Sequence, residues 1–147
     1  MMIFATTIEI GREDCFKHID LPFKVEADYS RLIIKYSYSP KKYEGSDAFD
    51  LALEAFKAVY GDAPISESDV LSELPLNNHV TLSLSMGDEL IGTAHRHANE
   101  MSIEVGGGSS VGFKPYIIKK GSYAITLSCH AVLSEKIVAK VEVYGQE

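Results

Sequence analysis

Two histidines, His95 and His97, stand one residue apart in a segment that the sequence predicts to be extended. Alternate side chains of a strand point to the same face, so both imidazoles are able to reach one metal ion. A zinc site needs further ligands, and the candidates are His79, Glu100 and Glu104. This pattern is the basis of one hypothesis, a small metal-dependent hydrolase. The alternative is a polar strand end that binds no metal.

Aromatic residues outside the predicted strands offer a second kind of chemistry, which is stacking on a sugar or a peptide. Tyr43, Phe113 and Tyr116 fall in predicted loops, and Arg96 stands between the two histidines. These four are therefore the candidate ligand-binding residues. Three further tyrosines continue apolar stripes of predicted strands and are expected to face the core: Tyr36, Tyr38 and Tyr123.

The sequence lacks the motifs of common hydrolases and nucleotide-binding proteins. Residues 105–112 are rich in glycine, but no helix start follows them, as a phosphate cradle would require. No Gly-x-Ser-x-Gly nucleophile elbow occurs. Cys15 follows Glu13 and Asp14, whose negative charges disfavour a reactive thiolate. The sequence therefore assigns no catalytic residue and predicts no cofactor.

The elements that must position these side chains are mainly strands, because apolar and polar residues alternate over much of the chain. Alternation of period two gives each strand one dry and one wet face, which is typical of antiparallel sheets. The segments with this pattern are 18–25, 31–38, 80–86, 122–129 and 137–144, with shorter strands at 4–10, 90–96 and 101–105. About eight such strands predict an antiparallel, jelly-roll-like β-sandwich. Pro22 predicts that its strand either lies at an edge or is bulged there.

Residues 46–74 interrupt this pattern with helical spacing. Six apolar residues share one helical face between Ser46, a candidate N-cap, and Gly61. They are Phe49, Ala52, Leu53, Phe56, Val59 and Tyr60. A second, shorter helix is predicted over 66–74 from the capping box that Ser66 begins. We interpret this stretch as a helical insertion lying across one end or one face of the sandwich.

Composition and charge limit the partners and the location. The chain has 147 residues, with 21 acidic against 14 basic side chains and a net charge of −7. Nucleic-acid binding needs a basic surface, and a membrane span needs a long apolar run, so neither partner is expected. The first residues carry no basic leader, which predicts a cytoplasmic protein with Cys15 and Cys129 as free thiols. We expect one domain over 1–147.

Several segments together resemble a known module. They are IGRED (10–14), HIDLPFKV (18–25), RLIIKYSY (31–38) and GFKPYIIKKGSYAI (112–125). In order and pattern they are similar to the β-sandwich that precedes the catalytic domain in some metallohydrolases of polymerase-and-histidinol-phosphatase type. The resemblance covers about two thirds of the chain, at both ends. It implies an accessory domain without the catalytic machinery.

The sequence also departs from that module. Residues 46–74 look like an insertion relative to it, and Tyr123 stands where the family more often has Trp. We expect no part of the metallohydrolase domain within these 147 residues, and His95 and His97 lie within the sandwich portion, so the family's metal roles are not carried over to them. The function predicted is a non-catalytic module that binds a protein, a carbohydrate or a second copy of itself. The His95/His97 hydrolase is the alternative.

Overall fold

Two four-stranded antiparallel sheets form most of the molecule in the computed structural model of the chain, which describes residues 1–61, 63–74, 76–95 and 100–147. The strand order is β1-β10-β3-β8 in the first sheet and β2-β9-β6-β7 in the second. A separate two-stranded sheet pairs β4 with β5. The prediction of an antiparallel β-sandwich with one or two helices is confirmed.

The elements have the following bounds. The strands are β1 Met2–Gly11, β2 His18–Val25, β3 Arg31–Ser39, β4 Lys42–Tyr43, β5 Leu76–Asn77, β6 His79–Met86, β7 Glu89–Ala94, β8 Glu100–Gly106, β9 Gly121–Ala131 and β10 Lys136–Gln146. The helices are α1 Ala48–Tyr60 and α2 Glu67–Ser72, and a 3-10 turn spans Arg12–Asp14. Within the described residues, neither helix is long and apolar enough to cross a membrane.

The core lies between the two main sheets and is built from the inward stripes. Strand β10 contributes Ile137, Ala139, Val141 and Val143, all fully buried, while the residues between them face outward. The other strands follow the same rule, because strand side chains alternate between the two faces. Tyr36, Tyr38 and Tyr123 are inward and buried, as their positions on apolar stripes predict.

Strand β2 confirms the prediction made from Pro22. It lies at the edge of the second sheet and pairs only with β9, where Pro22 stands opposite Ala124. Proline has no backbone N–H to donate, so a strand with a neighbour on one side only accommodates it.

The helical insertion leaves the sandwich at β4 and returns at β5, with α1 and α2 between them. Helix α1 begins beyond Ser46, and its N-cap is Asp47, which makes no side-chain cap bond. The prediction that Ser46 caps this helix is therefore wrong. Gly61 ends α1 with φ 61°, and its N–H donates to the carbonyl of Lys57 at 2.9 Å. Ser66 caps α2 as predicted, accepting from the N–H of Asp69.

The apolar face of α1 is only partly covered, with Phe49, Leu53 and Phe56 half-buried. Of the six residues that share that face, Ala52 alone is buried, while Val59 and Tyr60 are 74% and 59% exposed. No residue of α1 or α2 belongs to the core cluster between the two main sheets. Hydrophobic periodicity predicted the helix correctly, but it does not reveal which surface, if any, covers its apolar side.

Candidate functional site

The predicted metal site is only partly within the described structure. His95 directly follows β7, and its side chain is exposed. It lines a cleft of about 400 Å³ together with residues that include Thr93, Glu100 and Phe113. His97 and Arg96 lie outside the described residues. Within the described ranges, no three His, Cys, Asp or Glu side chains form a group that could hold a metal ion. The structure therefore adds nothing to the hydrolase hypothesis beyond the exposure of His95.

Tyr43, a candidate ligand-binding residue, joins the insertion to the sandwich. It lies on β4, where its hydroxyl donates to the carboxylate of Asp47 at the start of α1. Arg12 of the 3-10 turn donates to the same hydroxyl at 3.2 Å, and its guanidinium carbon lies 5.7 Å from the ring centroid. The hydrogen bond to the Asp47 carboxylate raises the pKa of Tyr43. Its contacts position the insertion.

Phe113, a candidate ligand-binding residue, is buried. It is 7% exposed and belongs to the core cluster, although it also lines the cleft beside His95. Residues 112–114 run along the free edge of β7. The carbonyl of Gly112 accepts from the backbone N–H of Thr93 at 3.1 Å, and the backbone N–H of Lys114 donates to the carbonyl of Ile91 at 3.0 Å. The sequence does not show this, because three residues are too short for a period-two pattern to be detected.

Tyr116 is half-buried beside two shallow clefts. Its hydroxyl donates to the sulfur of Met86 at 3.2 Å. Desolvation raises its pKa, and the neighbouring Glu89 carboxylate adds to the rise. Ile117, next in the chain, is 75% exposed. This end of the sandwich offers one partly engaged tyrosine rather than an open row of aromatic rings.

A feature that the sequence predictions missed is the distribution of charge. Of the 21 acidic and 14 basic residues, eight acidic ones and only Lys57 among the basic ones lie in residues 44–74. Thirteen of each sign remain elsewhere, so the insertion carries the whole net charge of −7 and the sandwich is neutral. Counting charge by segment instead of over the whole chain would have revealed it.

Exposed apolar side chains lie within this acidic insertion. Val59 and Tyr60 end α1, and Leu71 of α2 is 51% exposed. The rings of Phe56 and Tyr60 stack with centroids 5.7 Å apart. They line a cleft of about 380 Å³ between the helices, together with Ala63, Pro64, Ile65, Asp69, Ser72 and Glu73. We call this cleft, with the exposed Tyr60 at its edge, the helical groove.

A buried polar network holds the root of the insertion. Asn78 is fully buried, and its side-chain amide donates to the carbonyl of Pro40 at 3.0 Å and to the hydroxyl of Ser134 at 2.8 Å. Its Oδ1 accepts from the backbone N–H groups of Leu133 and Ser134 at 2.8 and 3.3 Å. Because every polar atom of this side chain is paired, its burial favours one defined arrangement of the surrounding loops.

Lys41 lies in the same region with an unusual environment for an ammonium group. Its Nζ is shielded from solvent and has no hydrogen-bond partner among the described residues. It lies 3.8 Å from the ring centroid of Tyr38. Burial lowers the pKa of Lys41, whereas the ring attracts the charged form. Desolvation is the larger effect, because an aromatic face replaces only part of the lost hydration.

No family model and no curated protein matches the chain. A crystal structure of a protein from Sulfurospirillum deleyianum is similar to it at a TM-score of 0.41 and 13% sequence identity, covering 98% of each chain.

Proposed function

We propose that this chain is a non-catalytic β-sandwich module that binds a protein partner through its helical groove. The observation that carries the proposal is the coincidence of exposed apolar side chains with the whole net charge of the molecule on one insertion. A lone exposed apolar residue is ordinary, but a group of them within a field of one charge sign is typical of a binding surface.

The partner expected is a segment with an apolar stripe flanked by lysine or arginine. Its apolar side chains would pack against Phe56, Tyr60 and Ile65, and its basic side chains would meet the surrounding carboxylates. Burial of apolar area supplies most of the affinity in such an interface, while complementary charge accelerates association and sets orientation. An amphipathic helix lying in a groove is the common form of this recognition.

The surroundings of the predicted aromatic residues favour a protein ligand over a carbohydrate. Sugar binding by stacking requires open aromatic faces, whereas Phe113 is buried and the Tyr43 and Tyr116 hydroxyls are engaged. The strand order in both sheets supports a jelly-roll topology for the module. The resemblance to an accessory domain of metallohydrolases stays a prediction, and a role in binding rather than catalysis agrees with it.

Peptide binding tests the proposal directly. The probe is a lysine-rich peptide with leucines at helical spacing, compared with a peptide of the same composition whose leucines are scattered. We expect the amphipathic peptide to bind more tightly in calorimetry, with an affinity that falls as salt is added. Equal affinities for the two peptides would show that only net charge is recognised, and would contradict the proposal.

A matched pair of variants locates the site. Tyr60 on α1 lines the groove, and Leu90 on β7 lies far from it in the chain; they are 59% and 58% exposed, so replacing either with serine removes an exposed apolar side chain. Tyr60→Ser is expected to weaken binding about tenfold, since truncation of a central interface residue costs more than about 1 kcal/mol. Leu90→Ser is expected to leave the affinity unchanged. Equal effects of the two variants would rule out the helical groove.

A further inference from the structure

The two main sheets have four edge strands, and other parts of the chain pair with two of these edges, β7 along its middle and β8 at Glu104 and Gly106 alone among the described residues. Residues 112–114 hydrogen-bond to β7, as described above. At β8, Ser110 donates its backbone N–H to the carbonyl of Glu104, and its hydroxyl accepts from the Glu104 N–H, both at 2.8 Å. Covering an edge in this way prevents another strand from pairing with it.

The third edge, β2, is blocked by composition. Pro22 lies at the middle of this strand and removes a donor, and charged Asp20 and Lys24 flank it. Proline and charged residues are common means by which edge strands avoid pairing with other chains.

The fourth edge, β1, has none of these protections over most of its length. It is ten residues long, contains no proline, lysine or arginine, and pairs only with β10. Its one charged residue is Glu9, whose Oε1 lies 3.3 Å from Nζ of Lys136 on the neighbouring strand β10. The sole irregularity in its pairing with β10 lies at its start, between Met2 and Phe4. Within the described chain, the outer backbone groups of β1 have no strand partner.

Beside this open edge the core is incompletely covered. Phe4 and Ile8 of β1 and Ile19 and Leu21 of β2 pack against the core but are only half-buried. Phe4 also stacks on Phe23 across the two sheets, with ring centroids 5.3 Å apart. These side chains form an apolar seam along the side of the sandwich where the backbone is unpaired.

We infer that a second copy of this chain pairs with the β1 edge, so that the two first sheets join into one eight-stranded sheet about a two-fold axis. An antiparallel pair of identical strands centred on a residue, such as Thr7, keeps the even-numbered inward residues of both copies on one face. The half-buried side chains Phe4 and Ile8 of each copy then cover those of the other. Glu9 lies opposite Ala5, so no like charges meet within the paired strands.

Charge favours a second copy as the occupant. The net charge of −7 resides in residues 44–74, and the rest of the chain is neutral. Two copies therefore meet along β1 with sandwich surfaces that carry no net charge, although each whole molecule is acidic. Two-fold symmetry is the commonest arrangement of soluble homo-oligomers, and it needs only one self-complementary surface. This inference does not depend on the proposed function, since the helical groove is a different surface.

The inferred dimer is tested by analytical ultracentrifugation of the whole chain. Two lysine variants are compared with the wild type, one on the β1 edge and one on the β8 edge. Thr7→Lys on β1 and Ser102→Lys on β8 both replace exposed residues, and each new lysine lies opposite an existing one, Lys140 or Lys35. The two substitutions thus carry a similar cost within one molecule. Thr7→Lys is expected to raise the dimer dissociation constant at least tenfold, and Ser102→Lys is expected to leave it unchanged.

The wild-type chain is expected to sediment at twice its 16.2 kDa mass at micromolar concentration. Hydrogen exchange should then show β1 amides that become more protected as concentration rises. A wild-type chain that stays monomeric, equal shifts from the two variants, or a dimer without added β1 protection would each overturn the inference. Peptide binding to the helical groove is measured separately, so a failure here leaves that result untouched.

Discussion

The backbone N–H of Phe16 donates to the carbonyl of Cys129 at 2.7 Å, and the N–H of Cys129 donates to the carbonyl of Lys17 at 2.9 Å. Phe16 and Lys17, which directly precede β2, thus lie together opposite Cys129 of β9. This is the pattern of a β-bulge whose first position favours glycine. Phe16 occupies that position with φ 67° and a ring that is 85% exposed. Its backbone is strained, and its side chain gains little burial in return.

Phe16→Gly is therefore expected to stabilise the fold. The left-handed conformation costs a residue with a Cβ about 1–2 kcal/mol, and glycine avoids this cost. Glycine also loses more conformational entropy on folding, which offsets about 0.5–1 kcal/mol of the gain. The expected gain in the free energy of unfolding is about 0.5–1 kcal/mol, measured by urea denaturation. Phe16→Ala is the control, because it removes the ring and keeps the strain. Equal stabilities of the two variants would contradict this account of Phe16.

Asn78→Ala is expected to be strongly destabilising. It removes four hydrogen bonds from a fully buried side chain and leaves the partners of the amide without replacements. Each unsatisfied buried group costs about 1–3 kcal/mol, so we expect a loss of about 3 kcal/mol or more in the free energy of unfolding. The adjacent Asn77 is exposed, and Asn77→Ala should change stability by less than about 0.5 kcal/mol. Similar losses from both would refute the role given to Asn78.

Lys41→Met tests the buried ammonium through its pH dependence. Burial lowers the pKa of Lys41 in the folded state, so below that pKa the charge disfavours folding. As pH rises towards the unfolded lysine pKa of about 10.4, the folded state loses its proton first and wild-type stability recovers relative to the variant. We expect Lys41→Met to be more stable at neutral pH, by less than about 1 kcal/mol because the stem is only partly buried, with the gap closing towards pH ~10.

Thermal melts of both proteins over that pH range measure the gap. Tyrosines remote from Lys41 ionise in both proteins and cancel in the difference, while burial raises the pKa of Tyr38, so this neighbour of Lys41 ionises later than an exposed tyrosine. If Lys41→Met is less stable than wild type at neutral pH, attraction between the ammonium and the Tyr38 ring exceeds the cost of burial, and the expectation is wrong.

The two cysteines are expected to differ in reactivity. Cys129 is 1% exposed, and burial raises its pKa to about 11, with smaller contributions from Asp14 and Cys15. Its thiol therefore stays protonated and shielded near neutral pH. Iodoacetamide should label only Cys15, which is partly exposed, in the folded protein and both thiols in denaturant. Labelling of folded Cys15→Ser at the wild-type rate would contradict the burial of Cys129.

Much of the fold was predictable from residue pattern because strand geometry is local. Alternation such as Val80, Leu82, Leu84 and Met86 identifies both a strand and its inward face, and the structure confirms β6 over His79–Met86. Pro22 predicted an edge strand by the same local reasoning. The candidate site was less predictable, since exposure depends on what packs nearby. Phe113 shows this, because its position in a short loop gave no sign that it is buried.

The sequence by itself determined that the chain forms an antiparallel sandwich with a helical insertion, and it contained the acidic charge of residues 44–74. The physical reason is that side-chain alternation, helical spacing and charge are properties of neighbouring residues. Only the tertiary structure decided which edges are covered, that Val59, Tyr60 and Leu71 stay exposed, and that Tyr43 joins the insertion to Arg12. These features arise from contacts between residues far apart in the chain, which no local pattern specifies.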